Sequence, residues 1–138
     1  MLFGACKENN KSKLNESELK FEKIDETELV IQKILDLPDL QWIYHPELQE
    51  RIPVKILESE LIDNKLGLNK FGQEVRIISS IELEKEGIKD YVEFQKLEFK
   101  RDTLEFGLTY DIEGAGSAGK FIRENGKWKI LEYGVWEF

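Results

Sequence analysis

The sequence predicts an α+β fold: an N-terminal helix packed on a curved antiparallel meander of four to five strands. Three observations predict it. A stretch with apolar residues at helical spacing lies at residues 25–37. From residue 75 onward, apolar and polar residues alternate at the period of a half-buried strand. Asn125-Gly126, the preferred pair of a two-residue hairpin turn, sits between two such stretches. A helix followed by a run of strands places the helix on one sheet face.

The helix reads DETELVIQKILDL. Val30, Ile31, Ile34 and Leu35 form one apolar stripe. Asp25 is the expected N-cap, with Glu28 three residues on as in a capping box. Acids crowd the first turn, where the helix dipole favours them. Pro38 ends the helix near Leu37. Residues 39–53 hold the only histidine, His45, beside Trp42 and Tyr44, and Pro46 and Pro53 discourage one continuous helix. A histidine among aromatic residues suits a general base or a ligand-binding group. No Ser/Asp or Cys partner has recognisable spacing to it, so a plain surface histidine stays open as well. Residues 54–72 fit a strand or a short helix, with a turn at Gly72.

The second half is more legible. Val75, Ile77, Ile81 and Leu83 share one parity and Arg76 and Glu82 the other, which predicts a strand. Leu104, Phe106, Leu108, Tyr110 and Ile112 share one face of the next. A two-residue turn at Arg101-Asp102 sets Phe99 opposite Leu104 and Leu97 opposite Phe106, apolar against apolar. Val92 and Phe94 are then out of phase, and a β-bulge near Gln95-Lys96 restores them, with Phe94 facing Leu108 and Val92 facing Tyr110. Around Asn125-Gly126, Glu124 faces Lys127, Arg123 faces Trp128 and Phe121 faces Ile130. The Arg123–Trp128 pair can stack cation on ring. The final strand, KWKILEYGVWEF, is aromatic on both faces and is expected in the sheet interior.

Residues 114–121, GAGSAGKF, fit both G-x-G-x-x-G and G-x-x-x-x-G-K. Both phosphate motifs need a helix directly after the glycines. A hairpin follows instead, and Phe121 stands where the second motif needs Ser or Thr to reach magnesium. The string reads as a Gly-rich connection or bulge between antiparallel strands. No nucleotide is expected, and no cofactor or metal. Asp111 and Glu113, just before the glycines, would share one side of a strand as an acid pair.

The 138 residues suggest one domain. The formal charge of −8 repels nucleic-acid backbones and anionic lipid headgroups, and no Lys/Arg run offsets it. No apolar run has the length of a membrane span. A single cysteine excludes an intramolecular disulfide and a Cys-cluster zinc site.

That cysteine closes the quartet Phe3-Gly4-Ala5-Cys6, which resembles the lipobox of bacterial lipoproteins, with Phe3 where Leu is usual. The resemblance implies cleavage before Cys6 and lipid modification of it, with the rest of the signal lying upstream or trimmed. Glu8, two places on, resembles the export signal of some Gram-negative surface lipoproteins. Residues 7–18 are almost wholly polar and read as a tether, so 1–18 form the lipobox-like start and 19–138 a single α+β domain. In element order alone, residues 25–138 resemble the cystatin-like or nuclear-transport-factor-two-like architecture, and no motif of either family carries a functional residue across.

Three functions fit. The first is a non-enzymatic, lipid-anchored protein of the bacterial cell envelope, on the outer membrane or periplasmic side, that binds a protein partner or small ligand through Trp42, Tyr44, His45, Asp111 or Glu113. The second is a small pocket-containing enzyme using His45 with Asp111 or Glu113 as base. The third is a soluble cytoplasmic binding or immunity-type protein, acidic so as to mask a basic partner.

Overall fold

A computed structural model describes the backbone of residues 16–138, with side chains from residue 26 onward. Cys6, Glu8 and most of the expected tether lie outside the described residues.

Helix α1 spans Glu16–Leu35. It runs through Asp25, so that residue lies inside the helix and not at its N-cap. Val30, Ile31, Ile34 and Leu35 are fully buried. Pro38 opens a 3₁₀ helix, Pro38–Tyr44, where its missing N–H and fixed φ fit the first turn. This short helix caps α1. Gln41 donates to the Leu35 and Leu37 carbonyls at 3.0 and 2.7 Å, and the Tyr44 hydroxyl donates to Leu35 at 2.9 Å. Carbonyls that a helix leaves without partners at its C-terminus are thereby satisfied.

The ambiguous middle resolves into short strands. β1 (Lys55–Leu57) pairs with β4 (Arg76–Ile78) in parallel. Between them β2 (Asn69–Lys70) and β3 (Gln73–Glu74) form a hairpin whose turn residues, Phe71 and Gly72, both have positive φ. The strand expected through Val75 to Leu83 stops at Ile78. A second helix, α2 (Ser80–Glu86), replaces its latter half. Ser79 accepts from the Glu82 N–H and Glu82 reaches back to Ser79, a capping box, and Gly87 closes the helix in the left-handed region.

Four antiparallel strands follow in the order β5 (Glu93–Lys100), β6 (Thr103–Tyr110), β7 (Ala115–Glu124), β8 (Lys127–Glu137). The expected pairs Phe99↔Leu104, Leu97↔Phe106 and Phe94↔Leu108 are present, and the register shifts between Phe94 and Lys96. Val92 does not extend this ladder. Its N–H and C=O bond to β1, at Lys55 and Leu57, which joins β1 and β4 to the meander. Leu104, Phe106, Leu108 and Tyr110 are buried together with α1's stripe, Phe121 and Trp128. Each such side chain contributes about 1.5–3 kcal/mol of burial. Ile112 leaves this face: the strand ends at Tyr110, and Ile112 sits exposed in a 3₁₀ turn, Asp111–Glu113.

The last hairpin matches its expected register, including Glu124↔Lys127, Arg123↔Trp128 and Phe121↔Ile130. The Arg123 guanidinium lies 5.3 Å from the Trp128 ring centroid. Arg123 and the Trp128 indole both donate to Glu26 of α1, at 2.6 and 3.0 Å. The expectation of an interior final strand is corrected: β8 is the sheet edge, with Trp136 44 % and Phe138 70 % exposed. Aromatic residues on both faces of a strand mark bulk to be packed, which an edge beside a neighbouring helix also supplies.

The glycine string is itself strand. Gly114 has φ +62 and ends the 3₁₀ turn. At Gly119 a Cβ would lie 2.5 Å from the Glu132 carbonyl oxygen and 2.9 Å from the Phe106 ring. At Gly116 it would lie 2.9 Å from the Trp136 indole. Close approach between β7 and β8 explains these glycines, and no helix follows them.

Candidate functional site

His45 ends the Pro38–Tyr44 helix in the left-handed region, φ 48. The bend throws its ring toward the Asp111–Glu113 turn. Nδ1 lies 2.7 Å from Glu47 and Nε2 lies 3.0 Å from Glu113. Glu113 also accepts from Arg51 at 2.7 Å. Two cations thus stand against two carboxylates. Nδ1 is hydrogen-bonded to Glu47, while Nε2 lies within ion-pair distance of Glu113. The hydrogen bond to Glu47, with Glu113 beside it, raises the His45 pKa above its ordinary value, and the same bond lowers that of Glu47. Beneath the cluster Tyr110 is pushed up to about 12 by burial.

The structure brings His45 and Glu113 together and leaves Asp111 out. Because the strand stops at Tyr110, the expected Asp111–Glu113 acid pair does not form: Asp111 is exposed, while Glu113 turns inward to His45 and Arg51. Tyr44 is buried, its hydroxyl on Leu35 and its ring edge-on to Phe71 and Tyr110 at 5.6 and 6.3 Å. It serves packing and does not reach the surface. Arg51 escapes sequence reading, since no spacing links it to Glu113, 62 residues away.

Trp42 is not part of this cluster and is 43 % exposed. With Asp39 it forms one wall of a groove of about 500 Å³, and Val135, Trp136 and Glu137 of β8 form the other. Asp39 and Tyr133 tie the walls together: the Asp39 N–H donates to the Tyr133 hydroxyl at 3.3 Å. A second hollow, about 520 Å³, crosses the solvent face of the sheet over Gly107, Ala118 and Gly134. Its wall carries Glu105, whose carboxyl is lowered to about 2 by hydrogen bonds from Lys96 and Lys100.

Among the described residues no group of three or more His, Cys, Asp or Glu is placed to hold a metal ion. No described helix is long and apolar enough to cross a membrane. The chain matches no protein-family model, no curated protein and no solved structure.

Proposed function

We propose that this chain is a non-enzymatic binding protein of the bacterial cell envelope, held to its membrane by a lipid on Cys6. One observation carries the non-enzymatic side: His45 Nδ1 is hydrogen-bonded to Glu47, and Nε2 lies 3.0 Å from Glu113, which Arg51 holds. A general base needs a free nitrogen aimed at substrate. The cluster instead clamps the His45 bend to the turn before β7. The anchoring side rests on Gly4-Ala5-Cys6 and the polar stretch behind it. A diacyl cysteine supplies the two chains that stable attachment requires. Membrane contact is then through the lipid alone, and the ligand is a protein or small molecule reached beside Trp42. We also read α1 as lying across the meander in the cystatin-like manner, since its buried stripe shares one cluster with β6 and Glu26 bonds to β7 and β8.

Metabolic labelling with a fatty acid, in cells expressing the native protein with its full leader, tests the anchor. Label on native protein and none on Cys6→Ser supports it; an unlabelled native protein removes it and leaves the soluble acidic reading. One second reading, a small enzyme, needs substrate to replace Glu113 at His45 Nε2. That reading stands only if a generic ester or glycoside substrate turns over with native protein and not with His45→Gln.

A further inference from the structure

The meander ends in a strand whose outer side has no partner strand among the described residues, and one hydrogen bond fixes which way its backbone faces. The Phe138 N–H donates to the Gly114 carbonyl at 2.6 Å. In an antiparallel ladder the N–H and C=O of one residue point to the same side, and the side alternates along the chain. With Gly116↔Trp136, Ser117↔Val135 and Ala115↔Glu137 in register, Trp136 therefore faces β7. Val135 and Glu137 turn their N–H and C=O away from β7, and both residues line the 500 Å³ groove. Among the described residues no backbone group bonds to them there.

The groove has the parts that strand addition uses. Its floor is a free sheet edge, and its far wall is an exposed indole, Trp42. The Trp136 ring lies on the solvent face over its register partner Gly116. Two carboxylates, Asp39 and Glu137, flank the opening. Neither has a cation partner among the described residues, and no Lys or Arg lines the groove. The whole chain carries a formal net charge of −8.

We propose that this edge binds an extended basic segment of a partner protein as an added β-strand. The segment's backbone pairs with Val135 and Glu137, where main-chain bonds give affinity. Alternate side chains enter the groove, where a Lys or Arg meets Asp39 or Glu137 and stacks on the Trp42 face. A second copy of this chain is the rival occupant, and the charge on two copies opposes it. The inference deepens the binding reading and rests on it, but needs no lipid on Cys6.

The test uses acetyl-Lys-Val-Lys-Val-Lys-Val-amide titrated into the full chain and followed by amide NMR. The same peptide N-methylated at every residue serves as control, since it keeps the charge and loses the backbone N–H of every residue. We expect the largest shifts at Val135 and Glu137, and binding at least about tenfold weaker for the control. Trp42→Ala and Asp39→Asn should each weaken binding by about threefold or more. The site is overturned if the methylated peptide binds equally well, if the shifts fall elsewhere, or if no binding appears at millimolar peptide. It is also overturned if the protein alone dimerises with Val135 and Glu137 at the contact. Because the comparison of the two peptides leaves the protein unaltered, misfolding cannot mimic it, and none of these results depends on the labelling of Cys6.

Discussion

Along β5, the first edge of the sheet, Lys96, Glu98 and Lys100 stand exposed, a bulge follows Phe94, and β1 covers the strand's start through Val92. Along β8, at the other edge, the exposed side chains include Ile130, Leu131, Trp136 and Phe138. An unpaired strand is a template for any passing chain, and charges, bulges and covering segments are the usual guards. β5 has all three. β8 has a bulge opposite Lys120/Phe121 and exposed charges at Lys127, Lys129 and Glu132, but beyond them Val135 and Glu137 border a groove that no described Lys or Arg lines. Two edges of one sheet thus show which contacts the fold refuses and which it leaves available.

The largest expected effect comes from removing the open edge. Gly119→Ala places a Cβ against the Glu132 carbonyl and Tyr133, backbone that cannot swing aside. The variant should lose about 3 kcal/mol in denaturant unfolding, with β8 loosened and peptide binding lost. A loss below about 0.5 kcal/mol would mean that β7 and β8 do not approach as closely as described.

A second variant breaks the guarded edge. Lys96→Thr with Lys100→Thr removes the positive charge from β5 and frees Glu105, whose carboxyl those lysines hold at about 2. A lowered folded pKa stabilises the folded state above the ordinary carboxylate range, and that contribution fades as pH falls through about 2. We expect the Glu105 titration, read by carbon NMR, to return toward 4.5 in the variant, and light scattering to grow several-fold faster at neutral pH. An unchanged scattering rate would show that these lysines do not protect the edge.

The smallest effect belongs to the His45 clamp. A raised pKa means that the folded state favours the imidazolium. Its contribution is complete below about 6.5 and is lost as pH rises through the higher folded value. At a third exposed, the pair contributes less than about 1 kcal/mol. His45→Gln should therefore lower the melting temperature by a few degrees at pH 5.5 and by less at pH 8.5. A larger loss at pH 8.5 would reverse the assigned protonation.

Sequence reading succeeded where a period of two ran into a turn that fixes its register. Leu104 to Tyr110 and the hairpin at Asn125-Gly126 are of that kind, and they set the partners of Phe94, Leu97, Phe99, Phe121 and Arg123. It failed where two local signals competed. Val75 to Leu83 alternates like a strand, yet Ser79, Glu82 and Gly87 carry a start and a stop for a helix, and the capping box prevailed. The parallel β1–β4 pairing has only three residues a side and no turn to announce it. Of the candidate site, His45, Trp42 and Glu113 were visible as residue types. Their arrangement was not, because Arg51 joins Glu113 across 62 positions and Trp42 meets β8 only through the fold.

Amide hydrogen exchange along β8 in the free protein tests the open edge most directly. Fast exchange is expected at Val135 and Glu137, slow exchange at Trp136 and Phe138 between and beyond them, and slowing of the first two when the lysine–valine peptide is added. Uniform protection of all four in the free protein would mean that the strand is already paired on its outer side, and would contradict an open edge.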